Sequence, residues 1–172
     1  MIESLITIFI ATILFYTPAY FANMAPCISG RMKLPGGHPI AAEIFGAHKT
    51  WRGIYSGVIG GALGGYLLFF LSLGWIDELS MLDSILIGGV MGLGALIGDS
   101  VKSLIKRRLH ITPGKPFPPW DQLDFIIGAS LFTFLLIDIP LSVFLCAILS
   151  TPVLHLLVNI LSYFTGFKDV WW

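Results

Sequence analysis

Charged residues are scarce in this chain: only 12% of its 172 residues are Asp, Glu, Lys or Arg. A soluble domain has about a quarter. With a mean hydropathy of +0.86, this excludes an ordinary soluble domain and predicts an integral membrane protein. The first apolar run lacks a positive leading segment and a small-residue cleavage site, so we expect a retained span, not a signal peptide. Only two cysteines occur, Cys27 and Cys146, expected in a cytosolic loop and a membrane helix, so no disulfide is predicted.

Long apolar runs predict an all-α bundle of about five transmembrane helices in one domain, residues 1–172. A spanning helix needs about 20 mostly apolar residues. Five runs come near this length: Leu5–Asn23, Gly53–Gly74, Met81–Gly98, Leu123–Ile139 and Leu141–Phe164. Two long connections remain between them, Met24–Arg52 and Asp99–Gln122.

The distribution of charge predicts the orientation. If the N-terminus is outside, Met24–Arg52, Asp99–Gln122 and the tail after Phe164 are cytoplasmic, and these segments hold all ten Lys and Arg residues. Lys and Arg accumulate on the inner side of membrane proteins. The outer segments and helix ends then carry only acids: Glu3, Asp77, Glu78, Asp83 and Asp138. We therefore expect a multi-pass protein of the cytoplasmic membrane with its C-terminus inside and two cytoplasmic loops that form the active site.

The third predicted span continues beyond the membrane surface. Residues 99–109 lack Gly and Pro and keep apolar residues at helical spacing, so the helix is expected to reach about His110. A Pro-rich connector, Pro113–Pro119, then returns the chain to the fourth span. Glycines four residues apart in the second and third spans predict close helix packing, within the chain or in a homodimer: Gly53, Gly57, Gly61, Gly65, Gly88 and Gly92.

Asp121 and Asp124 lie three residues apart at the start of the fourth span, so both should point the same way. Acids at a helix start can complement the helix dipole. A second carboxylate next to the apolar segment Phe125–Ile127 is less easily explained, because an unpaired charge there is unfavourable. Magnesium takes one or two carboxylates and completes its shell with water and phosphate oxygens. We favour a metal site.

Asp99 brings a third carboxylate to the inner end of the third span, next to hydroxyl and basic side chains. The basic residues fit a triphosphate or a lipid phosphate, although a cytoplasmic basic girdle that binds anionic head groups is the plainer alternative. Together with the paired acids, the phosphate site is the preferred interpretation. Its members are Asp99, Lys102, Ser103, Lys106 and Arg107.

The segment Phe45–Gly53 leads into the second span and contains G-x-x-K-T, which lacks the spacer of a Walker A loop. Lys49, Thr50 and Arg52 still suit phosphate at a helix N-terminus. A glycine-rich turn with His38, and Asn23 before it, could cover a nucleotide or cap a membrane edge. His155 and Asn159 share a face and are expected to hydrogen-bond between helices or to contact a lipid head group.

Several of these motifs are similar to those of a known superfamily. Ser103-Leu104-Ile105-Lys106-Arg107 followed by Asp121-Gln122-Leu123-Asp124 resembles the C-terminal signature of the phosphatidate cytidylyltransferase superfamily. Lys49-Thr50-Trp51-Arg52-Gly53 is similar to its K-T-W-E-G segment, with Arg52 where Glu is usual. The small size, Gly98-Asp99-Ser100 and Phe45-Gly46-x-x-Lys49-Thr50 resemble more specifically the archaeal branch, CDP-archaeol synthase.

The resemblance implies that CTP and a lipid monophosphate, digeranylgeranylglyceryl phosphate in the archaeal branch, give a CDP-lipid and pyrophosphate. The implied partners are CTP, an isoprenoid ether lipid and membrane lipids, with no nucleic acid. Mg²⁺ is the implied cofactor, held by Asp99, Asp121 and Asp124, and Lys106 joins these acids as a catalytic residue. The implied binding residues for CTP or lipid phosphate are Asn23, His38, Lys49, Thr50, Arg52, Lys102, Ser103 and Arg107.

Three alternatives stay open. The enzyme could act on diacyl phosphatidate instead. A small transporter would also place charges at helix ends, but the centres of the predicted spans lack acids and bases apart from His155, and no inverted repeat is visible. A non-catalytic lipid-binding scaffold would use the basic inner face alone.

Overall fold

The computed structural model describes residues 2–46, 48–71, 79–112 and 115–166, with side chains from Ser4 onward. Within these ranges the regular elements are α-helices, apart from one isolated antiparallel bridge between Pro39 and Thr50. Some predictions concern parts of the chain outside the described residues. These parts are the side chain of Glu3, Gly74, Asp77, Glu78, Pro113 and the tail beyond Gly166. The helices are α1 (Ile2–Phe15), α2 (Thr17–Arg31), α3 (Ala42–Phe45), α4 (Trp51–Phe70), α5 (Met81–Arg108), α6 (Trp120–Thr133) and α7 (Leu141–Phe164).

In the described part of the chain, α4, α5 and α7 are each long and apolar enough to cross a membrane. The α1–α2 pair could form a fourth crossing. Helices α5 and α7 begin where the sequence predicted, and α5 continues to Arg108, which confirms its extension beyond Gly98. A reciprocal capping box starts α5, in which Ser80 and Asp83 each satisfy a backbone N–H of the other.

The first predicted span, Leu5–Asn23, consists of two helices instead of one. The chain bends by 44° between α1 and α2. Pro18 lies in the first turn of α2, where its missing N–H is tolerated and favours a new helix start. Helix α2 then continues to Arg31 with Pro26 inside it, so residues 24–31 are helical rather than part of a loop.

The fourth predicted span was also placed wrongly. Helix α6 begins at Trp120 instead of Leu123 and ends at Thr133, well before Ile139. At 14 residues it is shorter than the length that crosses a bilayer. Asp121 and Asp124 both lie in the first turns of α6, which confirms their predicted place at the start of this helix.

Glycines bring the backbones of α4, α5 and α6 into direct contact. A Cβ added to Gly88 of α5 would lie 2.5 Å from the carbonyl oxygen of Gly61 in α4. A Cβ added to Gly94 would lie 2.5 Å from the carbonyl oxygen of Gly128 in α6. Neither approach leaves room for a side chain. The glycine faces thus pair helices within one chain, and the predicted homodimer gains no support from them.

Aromatic and aliphatic side chains fill the core where α1 and α2 meet α5, α6 and α7. Tyr16, at the bend, is fully buried, and its hydroxyl lies 2.6 Å from Ser130 Oγ on α6. Phe125 and Ile126 of α6 are buried in the same cluster. This packing holds α6 against the bend. It thereby positions the first turns of α6, which carry Asp121 and Asp124.

Candidate active site

The C-terminal part of α5 and the first turns of α6 form the candidate site. Gly98 of α5 packs against the backbone of Asp124, and its added Cβ would lie 3.1 Å from the Cα of Gly128. This close approach places Asp99 and the side chains one turn further along α5 opposite Asp121 and Asp124. The site exists because a glycine pair lets two helices meet where both carry charged residues.

Lys102 lies at the centre of the three carboxylates, which we call the acid cluster: Asp99, Asp121 and Asp124. Its Nζ is 3.1 Å from Asp99 Oδ1, 3.2 Å from Asp121 Oδ1 and 2.7 Å from Asp124 Oδ2. The sequence predicted all four residues as a site. It did not predict that one ammonium would contact every carboxylate of the set.

Two further lysines pair with the acid cluster from outside. Lys49, which precedes α4, donates to Asp99 Oδ2. Lys106 donates to both carboxylate oxygens of Asp121, each at 3.1 Å, and to the carbonyl oxygen of Lys115 at 2.6 Å. Three lysines therefore balance three carboxylates. A segment before α4, the end of α5 and the start of α6 are tied together by charge.

Burial makes this balance necessary. The side chain of Asp124 is only 6% exposed and that of Lys102 only 16%. A buried charge without its partner destabilises a protein by about 3–5 kcal/mol. Burial alone would raise the pKa of the Asp121 carboxyl. The charge of Lys102 and the hydrogen bonds from Lys106 and the Phe117 N–H outweigh it and lower the pKa of Asp121.

The acid cluster has the chemistry of a magnesium site. Its three donors are hard carboxylate oxygens, and all of them surround one point. Asp124 Oδ2 is buried and forms an ion pair with the Lys102 ammonium at 2.7 Å. In the arrangement seen, no group of three His, Cys, Asp or Glu among the described residues is spaced to hold a metal, and Lys102 occupies the centre of the acid cluster. The donor chemistry of the three carboxylates is that of a magnesium site.

Two of the predicted binding residues use their hydroxyls on the backbone. Ser103 Oγ donates to the carbonyl oxygen of Asp99 at 2.9 Å. Thr50 Oγ1 caps α4 by accepting from the Gly53 N–H at 3.1 Å. Both thus shape the segments that carry Asp99 and Lys49. Arg107 is half-buried one residue beyond Lys106.

The remaining predicted binding residues lie apart from the acid cluster. Arg52 Nη1 donates to the carbonyl oxygen of Leu34 at 3.0 Å and so holds the turn at residues 34–37. His38 is exposed in that turn. Asn23 lines a separate cavity of about 240 Å³ with Tyr20 and His155. Their roles in substrate binding stay predictions.

An apolar groove lies beside the acid cluster. It has a volume of about 460 Å³ and runs between α5 and α6. Ile97, Val101 and Ile105 form one wall, and Lys102 and Asp124 lie at its edge. The signal was present in the sequence, because these three residues recur every four positions and are 38–47% exposed. An outward apolar stripe ends at the charged site.

Known proteins resemble this chain over almost its whole length. A family model described as "CarS-like: CDP-archaeol synthase" matches residues 5–172. A CDP-archaeol synthase of Methanocaldococcus jannaschii is 37% identical over 94% of this chain and 96% of its own length. One of Pyrococcus abyssi is 36% identical over 90% of this chain and 93% of its own.

A solved structure described as an intramembrane enzyme for archaeal membrane lipids biosynthesis aligns with a TM-score of 0.71 at 30% identity. The alignment covers 86% of this chain and 92% of that one. Together with the apolar helices, this makes the chain a multi-pass membrane protein. The resemblance noted in the sequence is confirmed, and the chain belongs to the CDP-archaeol synthase family.

Proposed function

We propose that the chain transfers a cytidylyl group from CTP to an archaeal lipid phosphate, digeranylgeranylglyceryl phosphate, and releases pyrophosphate. Family membership supports the reaction. The observation that carries the proposal is the position of the acid cluster and its three lysines directly beside an apolar groove. Such a site can meet a polyphosphate and a lipid tail at once.

The reaction is a displacement at phosphorus. An oxygen of the lipid phosphate attacks the α-phosphorus of CTP, a new P–O bond forms, and the bond to the β-phosphate oxygen breaks. A phosphate monoester is already a competent nucleophile, so the site needs no strong base. Its work is positioning and charge stabilisation. Lys49, Lys102 and Lys106 supply positive charge for the triphosphate and for the departing pyrophosphate.

Asp99, Asp121 and Asp124 would hold Mg²⁺. When bound, this ion neutralises phosphate charge and stabilises the leaving pyrophosphate. The carboxylate oxygens around one point support the assignment.

The groove between α5 and α6 is the proposed site of the lipid chains. It is lined almost entirely by apolar side chains of α5 and α6, which suit the chains of a bilayer lipid. Trp120 and Phe117 stand at its charged end. A lipid lying there would present its phosphate to Lys102 and Asp124.

Incorporation of label from CTP into lipid tests the proposal. Purified protein in detergent receives α-labelled CTP, Mg²⁺ and digeranylgeranylglyceryl phosphate, with diacyl phosphatidate in a parallel reaction. We expect Mg²⁺-dependent label in the lipid phase, with preference for the isoprenoid ether lipid. Preference for phosphatidate would instead indicate an enzyme that acts on diacyl lipids. No incorporation with either lipid would contradict the proposed reaction.

We also propose five crossings of the cytoplasmic membrane, with the N-terminus outside and the acid cluster on the cytoplasmic face. The distribution of Lys and Arg supports this orientation. Helix α6 is short for a crossing, and the turn at residues 134–136 would complete the predicted fourth span.

Cysteine labelling tests the topology. Cys27, on α2, is exposed and is the sole cysteine of a Cys146→Ala variant. A membrane-impermeant maleimide should label it in inverted vesicles and leave it unlabelled in right-side-out vesicles. A cysteine-free variant carrying Asp138→Cys, at an exposed position on the predicted outer side, should give the reverse pattern. Labelling of Cys27 in right-side-out vesicles would contradict the orientation.

A further inference from the structure

We propose that Lys102 is an internal counter-cation that occupies the metal position of the nucleotide-free enzyme, so that a divalent metal enters the acid cluster only when Lys102 leaves it. This inference rests on the metal site of the proposed function, and it adds that the Lys102 ammonium competes with the metal for that site. Its starting point is the contact pattern of the three lysines in the part of the chain that the structure describes. Lys49 pairs with Asp99 and Lys106 with Asp121, whereas Lys102 contacts all three acids.

One ammonium is an incomplete partner for three carboxylates. Lys102 Nζ is 2.7–3.2 Å from one oxygen of each acid, and the nearest of these oxygens, Asp124 Oδ2, is buried. Buried carboxylates need a cation close to them, and here all three share a single ammonium. The cluster therefore gathers three carboxylates around one monovalent cation, a position that a divalent ion would also suit.

A metal ion and the ammonium cannot share the centre. Two cations at the distances of these ion pairs repel strongly in a poorly solvated site. The three carboxylates and three lysines already balance in charge, so a divalent ion would leave an excess of positive charge. A nucleotide triphosphate reverses this situation, because its negative charges accept both the metal and the displaced ammonium.

The position of Lys102 on α5 allows the exchange. Lys102 and Asp99 are three residues apart on the same helix, so the ammonium reaches the cluster through its flexible side chain alone. It can leave without any movement of α5 against α6. The glycine contact between those helices, which sets the spacing of the acids, would stay unchanged during metal entry.

The inference predicts that removal of this ion-pairing side chain increases the affinity for metal. In Lys102→Met, three carboxylates would face each other with no central cation. We expect nucleotide-free Lys102→Met to bind Mn²⁺ at least about tenfold more tightly than the wild type, because the competing charge is gone. Lys106→Met is the matched control: it also removes one positive charge from the cluster but leaves Lys102 at the centre. Its affinity should rise by less than about threefold.

Mn²⁺ binding is measured by the electron paramagnetic resonance signal of the free ion, on purified full-length chains in detergent without CTP. Circular dichroism and gel filtration check that each variant is folded. A double variant, Lys102→Met with Asp124→Asn, should lose the gained affinity, which places the ion in the acid cluster. Lys102→Arg, whose guanidinium keeps the charge, should bind Mn²⁺ no more tightly than the wild type.

Equal affinities in Lys102→Met and the wild type would overturn the inference. So would an equal gain in Lys106→Met, which would reflect net charge alone, or a gain that survives Asp124→Asn. Each of these results would leave the proposed reaction standing, because the incorporation assay tests it separately. If incorporation failed but Lys102→Met still bound Mn²⁺ more tightly, the metal site would stand and the proposed reaction would be contradicted.

Discussion

Asp124→Asn is expected to lower incorporation of label from CTP into lipid by about a hundredfold to a thousandfold while the protein stays folded. The substitution preserves shape and removes the most buried charge of the acid cluster. Asp124 Oδ1 accepts a hydrogen bond from the Phe125 N–H at 2.7 Å, and an amide oxygen can keep that bond. The start of α6 should therefore survive, whereas Lys102 and any bound metal lose a negative ligand.

The control for this experiment is Asp83→Asn at the other end of α5. Asp83 belongs to the capping box with Ser80, far along the helix from the acid cluster. Its loss should destabilise the protein by about 1 kcal/mol and leave incorporation unchanged. Initial rates and thermal unfolding curves measured on both variants separate chemistry from folding. Wild-type rates in Asp124→Asn would contradict the role of the acid cluster in the reaction.

Gly98→Ala should also abolish most activity, although it removes no functional group. The added Cβ would collide with the carbonyl oxygen of Asp124 and lie 3.1 Å from the Cα of Gly128. These neighbours are backbone atoms of a packed helix and cannot turn aside, so α5 and α6 must separate. A displacement of about 1 Å in a catalytic arrangement can lower the rate by about a hundredfold. Overpacking should also destabilise the protein by about 1–3 kcal/mol.

Gly89→Ala provides a matched comparison on the same helix. A Cβ at Gly89 would meet only the Cβ of Ala62, at an ordinary contact distance of 3.9 Å. Alanine is also the better helix former. We expect unchanged incorporation and equal or higher thermal stability for Gly89→Ala. If Gly98→Ala behaved in the same way, the close approach of α5 and α6 would not set the geometry of the site.

The long helices and the members of the acid cluster could be predicted from the sequence, because the signals for them lie in neighbouring residues of the chain. Helices α5 and α7 each begin with a long apolar run and have clear starts at Ser80 and Pro140. Asp121 and Asp124 are three residues apart, and helical geometry alone puts them on one face. Each of these inferences needs only neighbours in the chain.

The features that sequence reasoning missed depend on contacts between distant segments. The bend at Tyr16 is stabilised by packing, including the contact of its hydroxyl with Ser130 on α6. Helical spacing puts Lys102 on the same face as Asp99, but it cannot tell that the same ammonium also reaches Asp121 and Asp124. That depends on how closely α6 approaches α5.

The backbone contacts among α4, α5 and α6 have a consequence for how the protein responds to its surroundings. Contacts made by side chains can adapt by changing rotamer, but contacts between glycine backbones have no such freedom. These backbone contacts therefore cannot adjust to lateral pressure or heat by a change of side-chain conformation. We expect the spacing of the carboxylates to stay constant across bilayers of different composition. Adjustment to the surrounding lipid would fall to the outward-facing side chains, such as Leu131 and Leu149.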